Sequence, residues 1–167
     1  MLSKEDLINK LELKPHPEGG YYKETYRSAD QIPYHALSNA FKSDRAVSTC
    51  IYFLLTSDNF SAFHRINQDE IWHHYYGAAL KIHMISEAGE YDSVIVGKDF
   101  SNEEIPQYVV KAKTWFAAEI LAKNTFALVG CTVAPGFDFE DFQLPTREFL
   151  TELFPVHYSV IERLTNS

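Results

Sequence analysis

The sequence predicts a mainly β chain, a barrel or sandwich with short helices at both termini. Three observations carry this. Segments rich in β-branched and aromatic residues follow one another from residue 21 to residue 133. Turn-forming residues separate them at close to the ~8–12-residue spacing of sandwiches and barrels. Helical apolar periodicity is confined to the two ends of the chain.

At the amino terminus, Ser3 followed by Asp6 resembles a capping box, with Asp in the place of Glu or Gln. Leu7, Ile8 and Leu11 then share one face, so residues 4–13 are expected to be helical. The segment KPHPEGG, residues 14–20, ends that helix and turns the chain. Strands are expected over 21–27, 48–55, 61–66, 70–76, 80–86, 91–97, 107–111, 115–119 and 126–133. Asp58-Asn59, Gly77, Ala88-Gly89, Lys123-Asn124 and Pro135-Gly136 supply turns between them. Residues 146–154 and 156–164 read as helices separated by Pro155, packing through Phe149, Leu150, Leu153, Ile161 and Leu164. No linker, internal repeat or low-complexity stretch interrupts the chain, so residues 1–167 are expected to form a single domain.

A length of 167 residues allows one core of ordinary size, and an apolar fraction of 46% argues against disorder. Fifteen Lys and Arg face twenty-three Asp and Glu, a formal charge of -8 with no local basic cluster. That sign repels phosphate backbones, so no nucleic-acid partner is expected. No apolar run approaches the ~18–20 residues of a membrane span. The opening MLSKEDLINKLEL carries charges where a signal peptide has its apolar core, so no membrane association and a cytoplasmic location are expected. Cys50 and Cys131 each lie in an apolar run without C-x-x-C spacing and read as buried free thiols.

The chemistry is concentrated in FSAFHRINQDEIWHHYYG, residues 60–77. Period-2 alternation puts Phe60, Ala62, His64 and Ile66 on one strand face, and Glu70, Trp72, His74 and Tyr76 on one face of the next. If those faces point the same way, a single wall collects two histidines, a carboxylate, a tryptophan and a tyrosine. Buried charge is costly unless paired, so the set suits a pocket wall, although an outward-facing hairpin tolerates it too. Arg65 and Asp69 alternate to the other face and are expected to form a surface or interface ion pair. His16, His35 and His157 read as loop or surface residues, and His83 as an outward strand position.

The same segment resembles the first motif of the cupin superfamily: His-x-His, three or four residues, Glu, six residues, Gly. His64, Glu70 and Gly77 fall in its places, and Ile66 replaces the second histidine. The second motif, Pro-x-Gly-x-x-His, aligns with KAKTWF, residues 111–116, where Phe116 stands in place of the histidine. LKPHPEGGYYKETYRS (13–28), FHRINQDEIWHHYYG (63–77) and LVGCTVAPGFDFEDFQL (128–144) closely resemble, in order and spacing, the signatures of a cupin branch of unknown function often called cupin family five. The resemblance spans nearly the whole chain. It implies a double-stranded β-helix (jelly-roll, cupin) barrel that pairs as a homodimer and is related in fold to dehydrorhamnose-type sugar epimerases and germin-like proteins. The Tyr-rich segment 21–27 is a long, alternating candidate for pairing across a two-fold axis.

Metal-binding cupins hold a divalent ion with three histidines and one carboxylate. Carried over by position, only His64 and Glu70 survive, too few ligands for a tight site. His74 lies roughly 13 Å along the strand from Glu70 and does not make up the number. No cofactor is therefore expected, and a divalent metal is disfavoured, as is a metal-dependent oxygenase. His64 becomes the candidate general base, Glu70 the carboxylate that orients it, and Tyr76, or a tyrosine among residues 21–26, the acid, as the resemblance to the epimerases implies. A His64–Glu70 pair would equally serve to tie two strands together. Trp72 and His74 are candidate ligand contacts, Trp72 suiting either a stacked ring or the core, and Phe116 is expected to fill the space of the missing ligand. In APGFDFEDF, residues 134–142, Phe137, Phe139 and Phe142 are expected to rim the pocket while Asp138, Glu140 and Asp141 face water; an edge segment packed on the barrel is the other reading. His16, Glu18 and the two glycines after it are assigned to a turn. The expected partner is a small molecule of carbohydrate or nucleotide-sugar class, epimerised or isomerised by proton transfer, or bound without turnover.

Overall fold

The fold is that of a computed structural model describing residues 2–166. Helix α1 (Lys4–Leu11) opens the chain. Strands follow as β1 (Lys14–Pro15), β2 (Tyr21–Arg27), β3 (Gln31–Ile32), β4 (Arg45–Ala46), β5 (Thr49–Thr56), β6 (Phe60–His64) and β7 (Asp69–Gly77). Then come β8 (Leu80–Ile85), β9 (Tyr91–Val96), β10 (Gln107–Val110), β11 (Trp115–Glu119) and β12 (Phe126–Ala134), and helices α2 (Arg147–Leu153) and α3 (Tyr158–Arg163) close the chain. A six-stranded antiparallel sheet, in the order β1-β2-β5-β12-β7-β10, faces a four-stranded one, β6-β11-β8-β9, with β3 and β4 forming a small separate ladder. This is the mainly β, double-stranded β-helix architecture with short helices at both termini. The long strands fall where period-2 patterning and turn residues put them; the two-residue strands β1, β3 and β4 carry too few residues to show a period.

Helix α1 begins on the capping box, with Asp6 N–H donating to Ser3 Oγ and Ser3 N–H to the Asp6 carboxylate, both at 3.0 Å. It stops short of residue 13 because Glu12 takes a left-handed conformation, φ 55°, and its N–H turns back to the Asn9 and Ile8 carbonyls.

Three apolar layers result. Phe53, Leu55, Trp72, Ile82, Phe116 and Val129 fill the space between the sheets. Leu7 of α1 covers Leu54 and Leu128 on the outer face of the large sheet. Leu150, Phe154, Ile161 and Leu164 cover Phe63, Trp115 and Ala117 on the outer face of the small one. Phe149 and Leu153, expected to pack there, are each 50% exposed: α2 turns Leu150 and Phe154, four residues apart, to the sheet and leaves the neighbouring stripe in solvent. Among the described residues no helix is long and apolar enough to cross a membrane.

Register shifts in β6 and β7, like a third in β2 between Glu24 and Tyr26, decide which side chains face inward. In β6, Ser61 pairs with Ala118 and His64 with Phe116, so Ala62 and Phe63 together stand opposite Ala117. In β7, Tyr76 pairs with Leu128 and His74 with Val129, leaving Tyr75 as the extra residue.

The segment 137–142, after β12, folds back over the open end of the barrel and is anchored by a buried arginine. Arg45, 2% exposed, donates from Nε to Asp141 Oδ2 at 2.7 Å and from Nη2 to Asp141 Oδ1 at 2.8 Å and Glu140 Oε2 at 2.6 Å. Gln68 Nε2 adds a bond to Asp141 Oδ2 at 2.7 Å. Asp141 is therefore buried rather than water-facing as expected, and Glu140 is tied to Arg45, which anchors the segment behind the flanking Phe139 and Phe142. Replacing Arg45 by Ala leaves Asp141 buried without a counter-charge, and we expect a loss of about 3–5 kcal/mol in urea unfolding. The Arg45→Met/Asp141→Leu pair should recover most of that loss. A change of under about 1 kcal/mol on Arg45→Ala would show that the cluster does not hold the fold.

Candidate functional site

Under the 137–142 segment lies a cavity of about 380 Å³, within the roughly 300–1,000 Å³ range of small-molecule sites. Its floor is built by the amino-terminal turn. Gly19 has φ +112°, and a Cβ there would sit 2.0 Å from the Phe60 carbonyl oxygen, so only glycine lets the turn lie against β6. The Glu18 carbonyl then accepts the Ala62 N–H at 2.7 Å, and its buried side chain enters the barrel. Ser61 Oγ donates to Glu18 Oε1 at 2.7 Å, while Glu18 Oε2 lies 3.1 Å from His64 Nε2 and 3.5 Å from His16 Nδ1. The extra residue in β6 makes this possible: strict alternation would put Ser61 and His64 on opposite faces, and the bulge turns both inward.

Protonation follows from the contacts. His64 Nδ1 is 2.7 Å from the Ala62 carbonyl, which can only accept, so Nδ1 carries the hydrogen and Nε2 faces Glu18. Burial lowers the His64 pKa, against the Glu70 charge that favours the imidazolium, and burial raises that of Glu18. The pair therefore favours its neutral form, with a Glu18 carboxyl O–H donating to Nε2. Glu70, 8% exposed, is pushed up to about 7: burial is the main cause, the nearby His64 opposes it and the Glu18 charge adds to it. Neither carboxylate has a Lys or Arg within ion-pair distance among the described residues. Cys131, also on the cavity wall, is held well above its ordinary pKa by burial and stays a thiol.

Rings form the rest of the wall. The His16 ring meets Tyr22 edge-on at 4.6 Å and stacks with Phe139 at 6.0 Å; Phe142 lies 5.4 Å from His64. At the mouth, Arg27 is held by both Glu24 oxygens, at 2.9 and 2.8 Å, and by the Phe137 carbonyl at 3.0 Å.

Of the residues singled out in the sequence, His64, Glu70, Phe137, Phe139 and Phe142 line the cavity. Four others do not. Tyr76 is turned by the bulge at Tyr75 to the outer face, where it packs 6.0 Å from Phe126 under α1. Trp72 points inward but is consumed by the core, edge-on to Phe53 at 5.8 Å and to Phe116 at 6.3 Å. His74 lies farther along β7, and its Nε2 donates to the Ala78 carbonyl at 2.9 Å. Phe116 backs the His64 ring at 4.1 Å instead of meeting a ligand. His83 is buried rather than outward, between Tyr91 Oη at 2.8 Å and Glu119 Oε1 at 3.0 Å, because the carboxy-terminal helices cover its face. Arg65 and Asp69 do not pair: Arg65 bonds Gln143 at 2.7 Å and lies over Trp115, while Asp69 holds Lys111 at 2.9 Å.

His16, Glu18 and Cys131 are cavity residues that the sequence did not assign to a pocket, and Tyr22 is the one tyrosine among residues 21–26 that lines it. The available signal was a His and a Glu set directly before two glycines: titratable groups beside a backbone that can approach another strand closely.

For a metal, the residues do not fit. Ile66 and Phe116 stand where two imidazoles would be needed, His64 Nδ1 is committed to a carbonyl, and among the described residues no three His, Cys, Asp or Glu side chains converge as ligands.

The chain matches the Cupin_5 family, described as Cupin superfamily (DUF985), over residues 5–145. An uncharacterized protein of Saccharomyces cerevisiae is 35% identical over 148 residues, 83% of this chain and 73% of that one. A Shewanella oneidensis protein solved by X-ray crystallography shares 37% identity at a TM-score of 0.88, covering 99% of both chains. A hypothetical protein from Leishmania major shares 34% at 0.91, covering 99% of this chain and 100% of that one. Oxalate decarboxylase from Bacillus subtilis, at 15% identity and a TM-score of 0.54 over 36% of its length, shares the fold.

The raised Glu70 pKa has a consequence for stability. A folded-state value of about 7, above the ordinary carboxyl value of 4.5, gives stability that is fully present below pH 4.5 and lost as pH rises to about 7. The amount is of order 3 kcal/mol. His64 is shifted the other way, so its share is present above its ordinary 6.5 and lost on acidification. Glu70→Gln should therefore raise Tm near pH 8 and change it little near pH 4; an equal effect at both would show that Glu70 is already ionised in the fold.

Proposed function

The chain belongs to the DUF985 (Cupin_5) family of the cupin superfamily, and from that premise we propose that it is a small-molecule-binding cupin that moves protons at a carbohydrate-type ring. The observation that carries the reading is the pairing, at the floor of an enclosed cavity, of a His64–Glu18 contact at 3.1 Å with a second carboxyl, Glu70, poised near neutrality. Efficient proton transfer needs groups whose pKa values lie near the working pH and whose environments differ, so that one holds a proton while the other accepts. Glu70 meets the first condition. His64, its tautomer set by the Ala62 carbonyl and its Nε2 by Glu18, meets the second. The Glu18 carboxyl fills the orienting role that the sequence suggested for Glu70. Tyr22 replaces Tyr76 as the phenol that faces the cavity.

Flat aromatic walls suit the apolar face of a sugar ring, and the water-poor floor strengthens each charge that develops there. An epimerase or isomerase of this kind removes a proton next to a carbonyl and returns it on the other face or at the neighbouring carbon. Glu70 is one group placed to do so, and the Glu18–His64 pair, which shares a proton at the Nε2 contact, is the other. A nucleotide-sugar would have only Arg27, at the mouth, to meet its phosphates.

A homodimer belongs to the same reading. On its outer side β2 pairs with β1 only at Tyr21 and Tyr22, so Lys23 to Arg27 present a free edge next to the cavity mouth. Light scattering at micromolar concentration should give twice the chain mass; a monomer mass would remove the dimer from the proposal.

Solvent-deuterium exchange into a keto-sugar tests the chemistry. His64→Asn and Glu70→Gln are each expected to slow exchange by ~10²–10⁴, and Glu18→Gln to displace the pH profile while retaining more of the rate. Undiminished exchange in both of the first two variants would assign the proton transfer elsewhere. If the wild type binds sugars without exchange, the site is a binding module.

A further inference from the structure

We infer that the cavity selects a ligand carrying a positive charge, a ring compound with an ammonium group that stands on the Glu18–Glu70 floor beneath the aromatic walls. The inference rests on reading the cavity as a small-molecule site and adds the charge of its occupant.

Glu18 and Glu70 are 7% and 8% exposed, on neighbouring walls of one cavity, and two carboxylates this deeply buried are costly unless a cation compensates them. Among the described residues no Lys or Arg reaches either within ion-pair distance; His64 and His16 stand 3.1 and 3.5 Å from Glu18, and burial lowers the pKa of both. The basic group nearest the mouth, Arg27, has its guanidinium spent on Glu24 and the Phe137 carbonyl. Asp138 adds another acidic group to the lining. An anionic ligand would meet this set with nothing free to pair it, and a neutral one would leave the floor carboxyls protonated, with no charge attraction gained.

The walls make the same selection independently. Tyr22, Phe53, Phe139 and Phe142 surround the His16 ring with centroids 4.6–6.1 Å away, and their faces and edges enclose the space above the floor. Aromatic faces attract a desolvated cation and do not attract an anion. His16 has its own pKa lowered by burial and accepts the Glu18 amide N–H at Nδ1, so it brings no fixed charge to compete. Without a ligand the floor carboxyls hold protons; an arriving ammonium replaces those protons as the counter-charge.

Three ring compounds of similar shape separate the possibilities by calorimetry on the intact chain: cyclohexylammonium, cyclohexanol and cyclohexanecarboxylate. Near pH 8 the ammonium is expected to bind about tenfold or more tighter than the alcohol, and the carboxylate weakest. On lowering the pH through 7 the ammonium should lose affinity and release a proton on binding, because Glu70 must then ionise against its burial and the Glu18 charge, with His64 and the Cys131 thiol favouring its carboxylate and His16, Glu24, Asp138 and Arg27 farther out in the same lining. Glu70→Gln should cut the ammonium's advantage over the alcohol while leaving alcohol affinity in place; Glu18→Gln, which keeps its bond from Ser61, serves as the second variant should Glu70→Gln fold poorly. Equal binding of ammonium and alcohol, or preference for the carboxylate, would overturn the inference and leave the cavity as a small-molecule site. Binding of none of the three, with no amino sugar or neutral sugar bound either, would remove that site and the inference with it.

Discussion

The closeness of the 14–20 turn to strand β6 is the constraint on which the site depends. A side chain at Gly19 would need to occupy the place of the Phe60 carbonyl, 2.0 Å away, and the turn would have to lift off the strand. Lifting it by even an ångström would break the Ala62 N–H to Glu18 carbonyl bond and withdraw the Glu18 carboxyl from Ser61 and His64. The His64 tautomer would survive, since Ala62 holds Nδ1, but Nε2 would lose the partner that sets its proton. One backbone contact thus couples the amino-terminal signature to the acid–base character of a residue almost fifty positions later in the chain.

The roof is held by different physics. Phe137, Phe139 and Phe142 present apolar rings to a cavity that contains titratable groups, an arrangement with little hydrophobic gain of its own. The Arg45 cluster compensates by fixing the segment from behind, through Asp141, Glu140 and Gln68. A buried ion pair of this sort is weak as a source of stability and strong as a specifier of position, because any displaced arrangement leaves a charge unpaired. Floor and roof together give a cavity whose floor is destabilised at neutral pH by Glu70 and whose shape is nonetheless maintained. Native proteins accept such local costs at functional sites.

The bulges in β6 and β7 explain which side chains obey alternation and which do not. Glu70 and Trp72 share a face with His74 because β7 is regular up to that point. Past Tyr75 the parity inverts, and Tyr76 joins Leu128 and Phe126 under α1. In β6 the added residue brings Ser61 to the face of His64, so the hydroxyl that positions Glu18 comes from a position that alternation assigned to the opposite face. Neither bulge has a glycine or proline to announce it. Each is set by pairing with a strand more than fifty residues away, β11 for one and β12 for the other.

By itself the sequence determined the β-rich architecture, the terminal helices and the fold family through three ordered signatures, and it singled out His64 and Glu70 as candidates for a pocket wall. These follow from period-2 burial and turn chemistry, which are local and repeat along the chain. It also carried the absence of a family-type metal set, since Ile66 and Phe116 are visible as residue types without coordinates. Only the tertiary structure decided that Glu18, not Glu70, meets Nε2 of His64; that Trp72 and Phe116 belong to the core; that Asp141 is buried; and that His16 and Tyr22 enter the cavity. Each of those outcomes depends on a contact between segments far apart in sequence, where strand register and the approach of one backbone to another set the geometry and no local pattern records it.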